Sequence, residues 1–110
     1  MENLTLVLKI NDEDKRFVSP DFISGKLFRQ ASDIATAFES GNGEKFELDK
    51  NSKFVCDVYG NQFTVDEFEE GTDSRKMMKT IYAVVNYVIG NIEKASALLA
   101  AESENTEEKN

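Results

Sequence analysis

The chain has 110 residues, of which 40% are hydrophobic and 31% are charged, the composition of one small folded domain. Its formal net charge of −8, from 21 acidic and 13 basic residues, would repel phosphate backbones, so we expect no nucleic-acid partner. No apolar run approaches the roughly 20 residues of a spanning helix, and no basic patch followed by an apolar stretch opens the chain, which predicts a soluble cytoplasmic protein without a membrane partner.

The N-terminal residues predict a β-hairpin. Apolar side chains recur at every second position, the pattern of a half-buried strand, at Leu4, Leu6, Leu8 and Ile10. Residues 11–14 form a polar turn, and residues 15–18 can return as the second strand. The turn lacks the Gly and the closing Glu of a calcium loop, whose positions are held by Arg16 and Phe22, so we expect a solvated turn and no metal.

A helix is predicted to follow the hairpin. Ser19, Pro20 and Asp21 have the chemistry of a helix start, although Gly25 would weaken the first turn, so regular helix can begin as late as Gly25. Apolar residues then recur at steps of three and four, which predicts a core-facing stripe of Ile23, Leu27, Phe28, Ala31, Ile34, Ala35 and Phe38. The glycine-containing run at 40–43 is expected to end this helix.

The segment from Phe46 to Tyr59 is read as a second helix, closed by Gly60. The spacing of its apolar residues favours a helix, while the β-branched residues around Cys56 would also suit a strand. Since Cys56 lies between Val55 and Val58 with no basic group nearby in sequence, we expect a buried and unreactive thiol.

A tight corner connects this segment to a short third helix. Thr64 and Glu67 have the spacing of a capping box, in which each side chain bonds the backbone N–H of the other residue, so a helix is expected from Thr64 to about Glu70, ending at Gly71. Aromatic residues bracket the corner, and we interpret it as structural, with the residues Tyr59, Gly60, Asn61, Gln62, Phe63, Thr64 and Glu67.

A long helix is predicted after a cap at Thr72 or Asp73, with Gly90 as a bend or an end. Its apolar stripe is larger than the surface that one short helix and a hairpin would be expected to pack against. Candidate residues for self-association or partner binding are therefore Met77, Met78, Ile81, Val85, Val88 and Ile92. The alternative, that packing within the chain uses the whole stripe, stays open at this point.

The last residues, 102–110, carry no apolar side chain and are expected to be a disordered acidic tail beside a single domain at 1–101. Glu108, Lys109 and Asn110, if encoded GAA AAA AAC, would contain a heptamer on which two tRNAs can slip back by one nucleotide. The predicted fold class is α+β, an N-terminal β-hairpin followed by a mainly helical domain with this tail.

Residue types for catalysis are scarce. Histidine is absent, so the usual base of a nucleophilic triad is missing, and one cysteine cannot supply a zinc site or a disulfide. The acid pairs are Asp12/Asp14, Asp66/Glu67 and Glu69/Glu70, in predicted exposed turns and helix starts that would not separate their pKa values. We expect no catalytic residue, no cofactor and no metal.

The corner carries a family resemblance. The run 55–68, centred on Tyr59–Thr64, resembles the tail assembly chaperones of long-tailed phages that infect Gram-positive bacteria. In those proteins an aliphatic and aromatic stretch leads into a Phe/Tyr-Gly-Asn-Gln-Phe-Thr corner and an acidic run ending in glycine, matched here by 66–71. The segment 22–29 fits the same family pattern, and the likeness covers roughly residues 3–92.

The resemblance implies a non-catalytic protein of the host cytoplasm, absent from the mature virion. Such chaperones coat the tape measure protein, a very long helical chain, self-associate into rings or spirals, and recruit tail tube protein, commonly through a longer frameshifted form. The alternative functions are a small acidic adaptor or inhibitor that binds a basic host protein, and a small enzyme that uses clustered carboxylates.

Overall fold

The computed structural model describes residues 3–40 and 47–99. It begins with an antiparallel hairpin of two strands, β1 (Thr5–Ile10) and β2 (Glu13–Val18), paired from Thr5 opposite Val18 to Ile10 opposite Glu13. Asn11 and Asp12 form the turn with φ of 55° and 65°, both left-handed. Two such residues give a turn whose twist matches that of the strands, and Asn and Asp tolerate it best after glycine. The predicted hairpin is confirmed, but its turn has two residues and not four, so the second strand begins at Glu13 and not at residue 15.

Helices make up the rest of the described chain, in the order α1 (Gly25–Glu39), α2 (Leu48–Val58), α3 (Val65–Glu70), a 3-10 turn (Ser74–Lys76) and α4 (Met77–Val88). A further helix, α5, occupies residues 92–99. The α+β prediction is confirmed, and the helical reading of the segment around Cys56 is correct.

The core lies around α4, which packs against α1 on one side and α2 on another. Seven of its residues are buried: Thr80, Ile81, Ala83, Val84, Val85, Asn86 and Tyr87. The hairpin adds the inward side chains of Leu6 and Leu8 of its first strand and of Leu4 just before it, as the period of two predicted. Helix α3 packs against both α2 and β1, so one continuous core joins the hairpin to the helices.

Three boundaries refine the predictions. The first helix begins at Gly25 with Ser24 as its N-cap, which confirms the later of the two starts that the sequence allowed. Ser19 is buried and its side chain bonds elsewhere, so the start at Ser19–Asp21 is wrong. Asp73 caps the 3-10 turn that leads into α4, since its carboxylate accepts from the Arg75 N–H. Gly90, at φ 100°, ends α4.

Several predictions concern residues outside the described part of the chain. They are the glycines at 41–43 as a helix end, Phe46 as a helix residue, the tail at 102–110 and the slippery codons at 108–110. The division into a domain at 1–101 and a tail therefore stays a prediction.

Candidate functional site

The corner between α2 and α3 begins with two consecutive left-handed residues, Gly60 (φ 66°) and Asn61 (φ 59°). Their N–H groups donate to the carbonyls of Asp57 and Cys56, at 3.1 and 2.8 Å, which satisfies the last turn of α2. The same pair of bonds ends α4, where Gly90 and Asn91 take the corresponding positions. The prediction that Gly60 closes the second helix is confirmed.

Beyond this cap the corner starts α3 with a complete capping box. The Thr64 hydroxyl oxygen accepts from the Glu67 N–H at 3.0 Å, and the Thr64 N–H donates to the Glu67 carboxylate at 2.9 Å. Asp66 and Glu67 lie in the first turn, where the positive end of the helix dipole favours acidic side chains. The predicted capping box is confirmed.

The corner also holds the hairpin to the helices. The buried Tyr59 hydroxyl donates to the Leu4 carbonyl at 2.9 Å, and the Gln62 amide donates to the Val18 carbonyl at 2.8 Å. The Phe63 ring packs edge-on against Phe17 of β2, with 4.9 Å between ring centroids. Burial raises the pKa of Tyr59 far above its ordinary value, so its hydroxyl stays a donor. These contacts support the structural role predicted for the corner.

A second group of buried hydrogen bonds, which the sequence did not reveal, fixes the same end of the hairpin. The Leu4 N–H donates to the Ser19 hydroxyl oxygen at 2.9 Å, and that hydroxyl donates to the Tyr87 hydroxyl at 2.9 Å. The Asn3 amide donates to the Ser19 carbonyl at 2.7 Å. Ser19 thereby links the start of β1 and the end of β2 to α4.

The largest exposed apolar side chains near α1 are two phenylalanines. Phe22 is 82% exposed and Phe28 is 51% exposed, while Ile23 and Leu27 between them in sequence are half-buried. We call these four residues the aromatic patch. The sequence predicted Ile23, Leu27 and Phe28 to be core. Ile23 and Leu27 do pack against the core, but the prediction is wrong for Phe28, because the core contacts of the first turn of α1 are made by Leu27 and not by Phe28.

The comparisons with known proteins identify the family. Residues 1–109 match the family described as phage tail chaperone protein. The chain belongs to this family. No curated protein and no solved structure matches it.

The tail chaperone uses most of the α4 stripe in its own core. Ile81 and Val85 are fully buried, because α4 lies between α1 and α2, so they have no surface for a partner in this fold. Met78 is 51% exposed. Met77, Val88 and Ile92 are half-buried. The accessible part of the predicted binding stripe is therefore centred on Met78 at the start of α4.

Within residues 3–40 and 47–99 of the tail chaperone, no group of three or more potential ligand residues could hold a metal ion. None of the helices described is long and apolar enough to span a membrane. Burial raises the pKa of the Cys56 thiol to about 11, with a smaller contribution from Asp57, and this agrees with the buried thiol that the sequence predicted.

Proposed function

We propose that this tail assembly chaperone acts in the host cytoplasm, where it coats the tape measure protein until the tail tube forms around it. It also recruits tail tube subunits, is non-catalytic, and does not remain in the mature virion. Its source would be a long-tailed phage or prophage of Gram-positive bacteria. The observation that carries this proposal is the family match over residues 1–109, which supports a tail assembly role.

The aromatic patch is the surface we propose for the tape measure protein. An apolar stripe of an amphipathic helix is the kind of partner that such a surface accommodates. Burying a phenylalanine that is otherwise exposed contributes about 2 kcal/mol, and Phe22 at 82% exposure has nearly all of that contribution available. Lys26 and Arg29, which are exposed in the same turns of α1, would face acidic residues that border the stripe.

Many copies are needed to cover one very long chain, so the proposal includes self-association. An interface that joins two different patches of neighbouring copies, and does not close on itself, produces an open spiral around a central chain. The formal charge of −8 would keep such copies soluble before they assemble.

The test is co-expression of the affinity-tagged chaperone with the tape measure protein from the same gene region. We expect the wild-type chaperone to retain the tape measure protein through purification. Phe22→Ser should weaken the complex about 30-fold, the equivalent of about 2 kcal/mol. Leu48→Ser is the matched control, because it removes an apolar side chain that is 38% exposed on a different helix, and it should leave retention unchanged.

Two other outcomes are informative. If Met78→Ser releases the tape measure protein and Phe22→Ser does not, the binding surface lies at the start of α4, as the sequence pattern predicted. A soluble, folded wild-type chaperone that retains no tape measure protein at all would contradict the proposed function.

A further inference from the structure

The second strand of the hairpin has a free edge. The Ser19 N–H donates to the Leu4 carbonyl, so hydrogen-bonded pairs alternate from there along the hairpin register. In an antiparallel pair, the residues between these hydrogen-bonded pairs direct their backbone N–H and C=O groups away from the partner strand. In β2 these residues are Asp14, Arg16 and Val18.

The other edge of the hairpin is covered at the end of β1 nearest the turn. Lys9 of β1 donates its N–H to the Gly71 carbonyl at 3.0 Å, and α3 packs against β1. On the β2 side, the Val18 carbonyl already accepts from the Gln62 amide at 2.8 Å. Within residues 3–40 and 47–99, the backbone groups left without a hydrogen bond on this edge therefore include both groups of Asp14 and of Arg16.

We propose that β2 of a second copy pairs with this edge, antiparallel and centred on Lys15, to give a four-stranded sheet with the two β2 strands in the middle. In this register Asp14 lies opposite Arg16 of the second copy, and the twofold axis repeats the pair. Each of these two pairs exchanges two backbone hydrogen bonds, and each joins opposite charges. The inference rests on the self-association that the proposed function includes, but a twofold contact closes on itself, so it would join two copies into a dimer and the open spiral would need a second, heterologous contact.

The number of backbone hydrogen bonds and the Gln62 bond select this register over its neighbours. Centring the pair on Arg16 would set two arginines directly opposite each other and would need the Val18 carbonyl, which Gln62 occupies. Centring it on Asp14 would oppose two aspartates and would set Arg16 opposite Asp12 of the turn, so only one pair within the strands would exchange backbone hydrogen bonds. Charged residues on an edge strand usually discourage pairing, because like or unmatched charges meet. Here the acid and the base two residues apart give two opposite-charge pairs, Asp14 with Arg16 and its repeat, against one like-charge pair, Lys15 with Lys15.

Disulfide trapping tests the register. Lys15 would meet Lys15 of the second copy in a pair without hydrogen bonds, where Cα atoms lie about 4.5 Å apart and a disulfide can form. Cys56, the one natural cysteine, is buried and does not compete. Lys15→Cys should give a covalent dimer on mild oxidation. Lys9→Cys, an exposed position on β1, is the matched control and should remain monomeric on a non-reducing gel.

Charge reversal gives an independent test in sedimentation velocity. Arg16→Asp alone sets acids opposite acids, and Asp14→Arg alone sets arginines opposite arginines, so each variant should self-associate at least about 10-fold more weakly than the wild type. Mixing the two variants restores both opposite-charge pairs, so the mixture should associate like the wild type. Circular dichroism confirms that each variant is folded.

Equal crosslinking of Lys15→Cys and Lys9→Cys, or a mixture no stronger than its separate components, would overturn the edge pairing. Self-association of the wild type that survives both reversals would place the interface elsewhere and leave the proposed function standing. A Lys15→Cys dimer that forms in a chaperone unable to retain tape measure protein would support the pairing while removing the proposed function.

Discussion

Ser19→Ala should destabilise the protein more than any other single hydroxyl deletion near the hairpin. Ser19 is 2% exposed, and its hydroxyl both accepts from the Leu4 N–H and donates to Tyr87. The alanine fills the same space except for the oxygen, so the change removes two hydrogen bonds without opening a cavity. It also leaves the Leu4 N–H buried without that acceptor.

The expected cost follows from these two bonds. Leaving a buried donor unsatisfied costs about 1–3 kcal/mol, and the bond to Tyr87 adds about 1 kcal/mol, which gives about 2–4 kcal/mol. Tyr59→Phe, by contrast, removes one bond to the Leu4 carbonyl, and that carbonyl still accepts from the Ser19 N–H at 3.1 Å. Its cost should be near 1 kcal/mol.

Thermal unfolding monitored by circular dichroism distinguishes the two variants. At roughly 4–8 °C per kcal/mol for a domain of this size, Ser19→Ala should lower the Tm by at least about 8 °C, and Tyr59→Phe should lower it by about 4–8 °C. Ser24→Ala is the matched control, because Ser24 is the N-cap of α1 but its side chain makes no capping bond, and it should change stability by less than about 0.5 kcal/mol. Equal Tm values for Ser19→Ala and Ser24→Ala would refute the reasoning.

Four further outcomes are expected. Gly60→Val should cost more than about 1 kcal/mol, because a β-branched residue tolerates φ 66° poorly. Thr64→Ala should cost about 1 kcal/mol through the lost capping box, and unchanged melting of both variants would make the corner a contact surface instead. Since burial raises the pKa of Cys56 to about 11, a thiol reagent at pH 8 should label it only after urea unfolding. Labelling of the folded protein should increase as the pH rises, and fast labelling of the folded protein at pH 8 would contradict the burial of the thiol. Deleting residues 102–110 should leave the Tm unchanged, and a clear decrease would mean that the tail is docked.

The sequence by itself determined the features that depend on residues within a few positions of one another. The alternation from Leu4 to Ile10 predicted the hairpin, the spacing of Thr64 and Glu67 predicted the capping box, and Gly60 marked a left-handed residue. Each of these signals is short-range, because a turn or cap forms from its own side chains and adjacent backbone groups.

Only the tertiary structure decided which apolar residues are covered. Ile81 and Phe28 both belong to helical stripes of similar appearance, yet Ile81 is fully buried and Phe28 is 51% exposed. The difference arises because the contacts of α4 with its neighbours cover Ile81, whereas the contacts of α1 leave about half of the Phe28 side chain exposed. Ser19 had the local chemistry of a helix cap, but its partners are Leu4 and Tyr87, 15 and 68 positions away. Contacts over such distances depend on how the elements pack, and no local pattern contains that information.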